Sequence, residues 1–127
     1  MFTKSARYYD ALYSFKDYEE AARRIHETIQ AVRPGARRLL DAGCGTGKHL
    51  ETLRRWYDVE GADIGAELIE VARERLPEVP FHLQDMASLA LPGRFDVITC
   101  LFSAIAYLKT TARLEQTISA FAHHLEP

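Results

Sequence analysis

Residues 39–50 read LLDAGCGTGKHL, an apolar run that ends in an acid, Asp41, and passes at once into three glycines within five residues, Gly43, Gly45 and Gly47. Apolar residues in succession are what a central parallel strand requires, because both of its faces are covered. Glycine straight after such a strand permits positive backbone torsions, and further glycines let a ligand lie against the main chain without meeting a Cβ. Two phosphate-binding patterns fail on this stretch. The dinucleotide fingerprint G-x-G-x-x-G wants glycine where Lys48 stands, and G-x-x-x-x-G-K-[ST] fails because the residues five and six beyond Gly43 are Lys48 and His49.

Outward from this strand the chain alternates. Upstream, the segment from Asp17, DYEEAARRIHETIQAVRPG, places Tyr18, Ala21, Ala22, Ile25, Ile29 and Val32 at the three-and-four spacing of an amphipathic helix. Asp17 suits its N-cap, Glu19 and Glu20 suit the positive end of the dipole, and Arg33-Pro34-Gly35 closes it. Downstream, KHLETLRRWY predicts a helix, DVEGAD a second strand, AELIEVARERL a helix ended by Pro77, and VPFHLQD a third strand. FDVITCLF predicts a fourth strand, and TTARLEQTISAFAHHLE a last helix with Leu114, Ile118, Phe121 and Leu125 on one stripe. Strands alternating with helices predict an α/β fold, a Rossmann-like doubly wound parallel sheet with right-handed crossovers.

The totals agree with one soluble domain over residues 1–127. Hydrophobic residues make up 47% and charged residues 27%, and a net charge of -2 gives no bulk attraction to nucleic acid or anionic lipid. Cys44 and Cys100 form no CxxC pair, so no metal site and no disulfide framework is expected. Without a span of roughly 20 apolar residues or the apolar core of a secretion signal, a cytoplasmic protein is expected.

Ligands of such sheets sit beyond the carboxyl ends of the strands. Those ends fall here at Asp41 to Gly47, Asp63, Asp85 and Cys100 to Ser103, so three of the four finish in an aspartate. A carboxylate beside a pyrophosphate adds repulsion, whereas one beside an ammonium or sulfonium lowers the energy of the bound ligand. An adenosyl amino acid with a positive centre would use every acid on this rim: Asp41 for the ammonium, Asp63 for the ribose hydroxyls and Asp85 for the adenine amine.

At these residues the sequence resembles the class I methyltransferases that use S-adenosylmethionine (SAM). LLDAGCGTG is similar to their first motif, the acid of EGADI to the ribose-binding acid, QDM to the adenine-binding segment, and FDVITCLFSAIAYL to the fourth strand and the loop beside the methyl acceptor. A nearer resemblance, on YYDALYSFKDY, CGTGKHLETL and TCLFSAIAYLKT running into FAHHLEP, is to bacterial N-methyltransferases of nucleotide-linked amino sugars. The resemblance implies that Tyr9 and Tyr18 contact the SAM carboxylate, that Gly43, Gly45 and Gly47 line the methionine, and that Asp63 holds the ribose. It implies that Asp85 and Met86 frame the adenine, with Asp41, Cys44, Ile64, Cys100 and Leu101 completing the cofactor set. Phe102, Ser103 and Tyr107 would border the acceptor amine, Tyr107 as a positioning residue where relatives carry histidine. S-adenosylhomocysteine (SAH) would be the product.

A complete domain of that family resembles a seven-stranded sheet, and this sequence supplies about four strands, in the implied order 3-2-1-4. The expectation is therefore the N-terminal, cofactor-binding part of such a domain, truncated before the C-terminal strands. Its fourth strand would be an open edge, and one sheet face would keep apolar surface exposed, inviting self-association. Two other functions stay open: a SAM-binding regulatory or assembly module without turnover, and an NAD-dependent oxidoreductase, for which the acid 20 residues beyond Gly43 speaks. Cys44 reads as a small packing residue rather than a nucleophile and Cys100 as a strand-end residue; Tyr9 has an alternative reading as an anchor of the N-terminal segment, and the arginines of ARRI, LRRW and RERL read as solvated faces. Of His123 and His124, about 100° apart on a helix, one would be solvated and the other partly packed. His26, His49 and His82 receive no role.

Overall fold

In the computed structural model, which describes residues 15–101 and 111–127, the elements in chain order are α1 (Phe15–Val32), β1 (Arg38–Ala42), α2 (Lys48–Leu53), β2 (Asp58–Asp63), α3 (Ala66–Arg75), β3 (Phe81–Leu83), a 3-10 turn (Met86–Ser88), β4 (Val97–Thr99) and α4 (Thr111–His124). The strands form one parallel sheet of order β3-β2-β1-β4. Its register sets Leu39 opposite Val59 and Val97, and Asp41 opposite Gly61 and Thr99.

Burial explains why β1 is central. Leu39 faces a core built with Ala22 and Ile29 of α1, Leu50 and Leu53 of α2, Ile69 and Ala72 of α3, and Leu76 and Phe81. Leu40 faces the opposite way, into a smaller core of Ala62, Leu89 and Phe95 against which Ala120 and Phe121 of α4 pack. Leu39, Leu40, Leu50, Leu53 and Leu76 are fully buried, each worth about 1.5–3 kcal/mol of apolar burial. Helices thus lie on both faces, as the alternation of elements predicts.

Several expectations need correction. Helix α1 already includes Phe15, so Asp17 lies in its first turn and is not the N-cap. Val32, placed on the buried stripe, is 80% exposed because the helix ends there, before Pro34. Helix α2 stops at Leu53: Arg55 and Trp56 donate to carbonyls three residues back, tightening the chain into a turn that delivers Asp58 to the sheet. On α4 the stripe is rotated. Leu114 and Ile118 are exposed, while Thr117 and His124 are buried beside Ala120 and Phe121. Thr117 tolerates burial because its hydroxyl donates to the carbonyl of Arg113 at 2.9 Å.

The face carrying α4 is also less apolar than expected. Beside the small core it bears Arg38, Glu60 and His82, with Glu60 at 2.9 Å from the Arg38 guanidinium and 2.8 Å from His82 Nε2. Just ahead of β4 the outer edge is occupied, since Phe95 donates to His124 O at 2.7 Å and accepts from Glu126 N at 2.8 Å. His123 is exposed and His124 buried, as their divergence on a helix predicts. No helix among the described residues is long and apolar enough to cross a membrane.

Candidate functional site

The carboxyl ends of β1, β2, β3 and β4 meet at one rim, and the glycine turn after β1 forms its middle. Gly43, Gly45 and Gly47 all have positive φ, at 75°, 56° and 81°. All three are therefore required by the backbone itself, where any other residue is strained. A Cβ on Gly45 would meet nothing within 4 Å, so that residue faces the open crevice; one on Gly47 would lie 3.3 Å from the Phe81 ring.

The amides of this turn are directed inward. Gly43 N and Cys44 N donate to Ala62 O at 2.7 and 3.0 Å, and Gly47 N donates to Cys44 O at 3.1 Å. Gly45 N donates to Asp63 Oδ2 at 2.9 Å, and Asp63 Oδ1 accepts from Gly65 N at 2.8 Å. A phosphate-binding loop presents such amides to its ligand. Here the amides of Gly43, Cys44, Gly45 and Gly47 are engaged within the protein, that of Gly45 by a carboxylate that stands where an anion would. Each Asp63 oxygen retains a further lone-pair direction for a hydroxyl.

Asp41 lies under the turn, 2% exposed, with Oδ1 accepting from Thr99 Oγ1 at 2.9 Å. Burial pushes its carboxyl up to about 7, the Thr99 hydroxyl opposes that rise, and the nearby Asp63 charge adds to it. A cation brought to this carboxylate would relieve both penalties. Cys44 turns into the core, where burial holds its thiol well above the usual range, so it acts as a packing residue. Cys100 is half-buried with its thiol raised by burial, and its Sγ lies 3.7 Å from Met86 Sδ.

At the far end of the rim, Asp85 caps the 3-10 turn by accepting from Ala87 N at 2.9 Å, and its other oxygen lies 2.5 Å from Arg113 Nη2 on α4. These two interactions, the amide first, hold its carboxyl below the usual range. The rim is therefore not uniformly negative. The Asp41 and Asp63 end carries acids without a basic partner among the described residues, whereas Arg113 balances Asp85. Ile64, just beyond β2, and Leu83, the last residue of β3, are 65% and 53% exposed.

Supporting residues lie behind the turn. Tyr18 of α1 is buried edge-on to His49, with ring centroids 5.0 Å apart, and burial lowers the His49 imidazole to about 4, leaving it neutral near pH 7. Arg75, expected on a solvated face, instead donates to Thr46 O in the glycine turn at 2.5 Å and lies 3.8 Å from Glu51. Gly61 lets Cys44 fold under the turn, since a Cβ there would come within 2.8 Å of Cys44 Sγ and the Phe81 ring. Thr99, Arg75, Gly61 and Arg113 carry no motif. Only the β1–β4 register, which sets Thr99 beside Asp41, offered a signal for the first. Tyr9, Phe102, Ser103 and Tyr107 lie outside the described residues. Among the described residues, no group of three or more metal-ligating side chains converges.

A family model described as a methyltransferase domain matches residues 39–127. The chain is 42% identical over 123 residues to the dTDP-4-amino-2,3,4,6-tetradeoxy-D-glucose N,N-dimethyltransferase of Saccharopolyspora spinosa, covering 94% of this chain and 49% of that protein. It is 38% identical over 113 residues to the dTDP-3-amino-3,4,6-trideoxy-alpha-D-glucopyranose N,N-dimethyltransferase of Streptomyces venezuelae, covering 88% and 48%. The solved structure of SAM-bound CalS10, an amino pentose methyltransferase from Micromonospora echinaspora involved in calicheamicin biosynthesis, is 40% identical, with a TM-score of 0.88 over 94% of this chain and 52% of its own. The chain spans about half the length of the curated relatives it matches.

Proposed function

Because this chain belongs to the methyltransferase domain family, we propose that it binds SAM at the carboxyl rim of its sheet and serves transfer of the methyl group to an amine of a small acceptor. The relatives' names make a nucleotide-linked amino sugar the favoured acceptor class. The observation that carries the cofactor assignment is the glycine turn itself, whose amides are engaged by Ala62 O, Cys44 O and the Asp63 carboxylate while Asp41 lies buried beneath it. Such a site repels a diphosphate and attracts a cation. The same feature disfavours a nicotinamide dinucleotide.

In this reading Asp41 faces the ammonium of the amino-acid portion and Asp63 accepts from the ribose hydroxyls. Gly45 gives the ligand its close approach to the backbone, and Ile64, with Leu83, forms apolar walls for the adenine. Asp85 and Met86 frame its edge, and Cys100 with Leu101 closes the rim beside β4. Tyr9 and Tyr18 at the carboxylate, and Phe102, Ser103 and Tyr107 around the acceptor, are assigned by resemblance. SAM supplies a methyl group already activated by its sulfonium. The chain's task is then to bind and align, and alignment of amine, methyl and sulfur can supply much of the acceleration of such a displacement. The acceptor amine needs only to arrive unprotonated, so Tyr107 positions and no acid–base pair is required.

Incubation with methyl-labelled SAM and a nucleotide-linked amino sugar tests the proposal. Label in the sugar supports transfer; tight SAM binding without transfer makes this chain a binding module, and absence of SAM binding removes the reading altogether. A cytoplasmic setting goes with this function. Pairing of copies through β4 or the neighbouring face is supported by Leu114 and Ile118, which α4 turns to solvent, and a single monomer peak in light scattering at micromolar concentration would exclude it.

A further inference from the structure

Asp41, next to last in β1, and Thr99, the last residue of β4, are direct partners in the parallel β1–β4 register. Both are buried, at 2% and 9% exposure. The Thr99 hydroxyl has one proton to give and two acceptors in range: Asp41 Oδ1 at 2.9 Å and Leu40 O at 3.5 Å. The shorter, charge-assisted bond takes it. No donor among the described residues reaches Asp41 Oδ2. We infer that Thr99 is a positioning residue: it fixes one oxygen of the Asp41 carboxylate so that the other is left aimed at the ligand's ammonium. This assignment rests on the proposed SAM site.

The hydroxyl also sets when Asp41 carries its charge. The titratable groups facing Asp41 are Asp63 from β2, Cys44 from the glycine turn and Cys100 beyond β4. Both thiols are kept neutral by burial, and Asp63 is a like charge, so neither kind helps Asp41 to ionise. Thr99 is the group that does. Without its donation, Asp41 takes up a proton more readily and the ammonium loses its counter-charge near neutral pH. Raising the pH restores the charge. A Thr99 that merely fills space at the end of β4 would give no such pH signature.

The test is calorimetric titration of the chain with SAH between pH 6.0 and 8.5, comparing the native protein with Thr99→Val, which keeps the shape and removes the donor, and with Thr99→Ser, which keeps the donor. Thr99→Val should weaken binding on the order of tenfold at pH 7, as expected for loss of a hydrogen bond to a charged group. The deficit should shrink toward pH 8.5, and Thr99→Ser should follow the native profile. A Thr99→Val profile parallel to the native one, or a Ser variant as weak as Val at every pH, overturns the assignment. Should Thr99→Val fail to fold by circular dichroism, Thr99→Cys, of similar size but a weak donor, replaces it with the same expectations. Failure of the native chain to bind SAH is a separate result and strikes the underlying SAM site.

Discussion

Replacing Asp41 with Asn should stabilise the ligand-free protein at alkaline pH while removing its affinity for an adenosyl amino acid. In the folded chain the Asp41 carboxyl titrates at about 7, against an ordinary 3.8, chiefly because burial disfavours its charge. The folded state therefore holds this proton more tightly than the unfolded state does. The stability it contributes is fully present below about pH 4 and is lost as pH rises through 7. A difference of about three pH units corresponds to ~4 kcal/mol in total, of which ~3 kcal/mol falls between pH 5 and 8.5. Asn keeps an acceptor for Thr99 but has no charge to bury, and any cost of its unpaired amide is the same at both pH values. Urea unfolding of both proteins at pH 5 and 8.5 isolates the effect, because titrating groups that do not interact with Asp41 cancel in the comparison. The native protein should lose about 3 kcal/mol more than Asp41→Asn across that interval. Parallel losses in the two proteins would refute the claim that Asp41 ionises at a cost in a buried site. With SAH added at pH 8.5 the order of stability should reverse, since only the native chain gains from binding.

Two further substitutions probe the frame that holds the site. Gly61→Ala places a Cβ 2.8 Å from Cys44 Sγ and the Phe81 ring, and should destabilise the fold by about 1–3 kcal/mol through overpacking, read as a lowered urea midpoint; an unchanged midpoint would show that the glycine turn has room to shift. His124 is buried, with Nδ1 2.7 Å from Ala120 O and Nε2 accepting from Leu91 N at 3.1 Å. His124→Ala leaves that amide without its partner and should cost about 2 kcal/mol, again by urea unfolding, with SAH affinity per folded molecule unchanged because the residue lies away from the glycine turn.

What the sequence discloses here follows the range of each interaction. The central place of LLDA is legible because burial on both faces leaves an unbroken apolar run, whereas the order of the strands is implied only by the resemblance to the methyltransferases. The glycine turn is legible because three positive torsions in five residues admit little else. The acids at the strand ends are legible as a group, yet their differences are not: Arg113 balances Asp85 across 28 residues of chain, and nothing near QDM signals it. Arg75 illustrates the same limit. By spacing it belongs to a solvated helix face, and only the packing of α3 beside the glycine turn brings its guanidinium to Thr46 O. The stripe on α4 is not legible, because Leu114 and Ile118 have the apolarity of core residues, whereas the buried positions go to Thr117 and His124, whose polar atoms find local partners. Gly61, in the middle of a strand, looks like a weak point in DVEGAD until Cys44 is seen to need its space.

The Asp41 and Asp63 end of the rim prefers positive charge. Calorimetric titration of the native chain with SAH and, separately, with NAD at pH 8 and low salt measures it directly. SAH should bind saturably, more strongly as pH rises from 6 to 8, and NAD should not bind at the same concentrations. Saturable NAD binding with no response to SAH would contradict it.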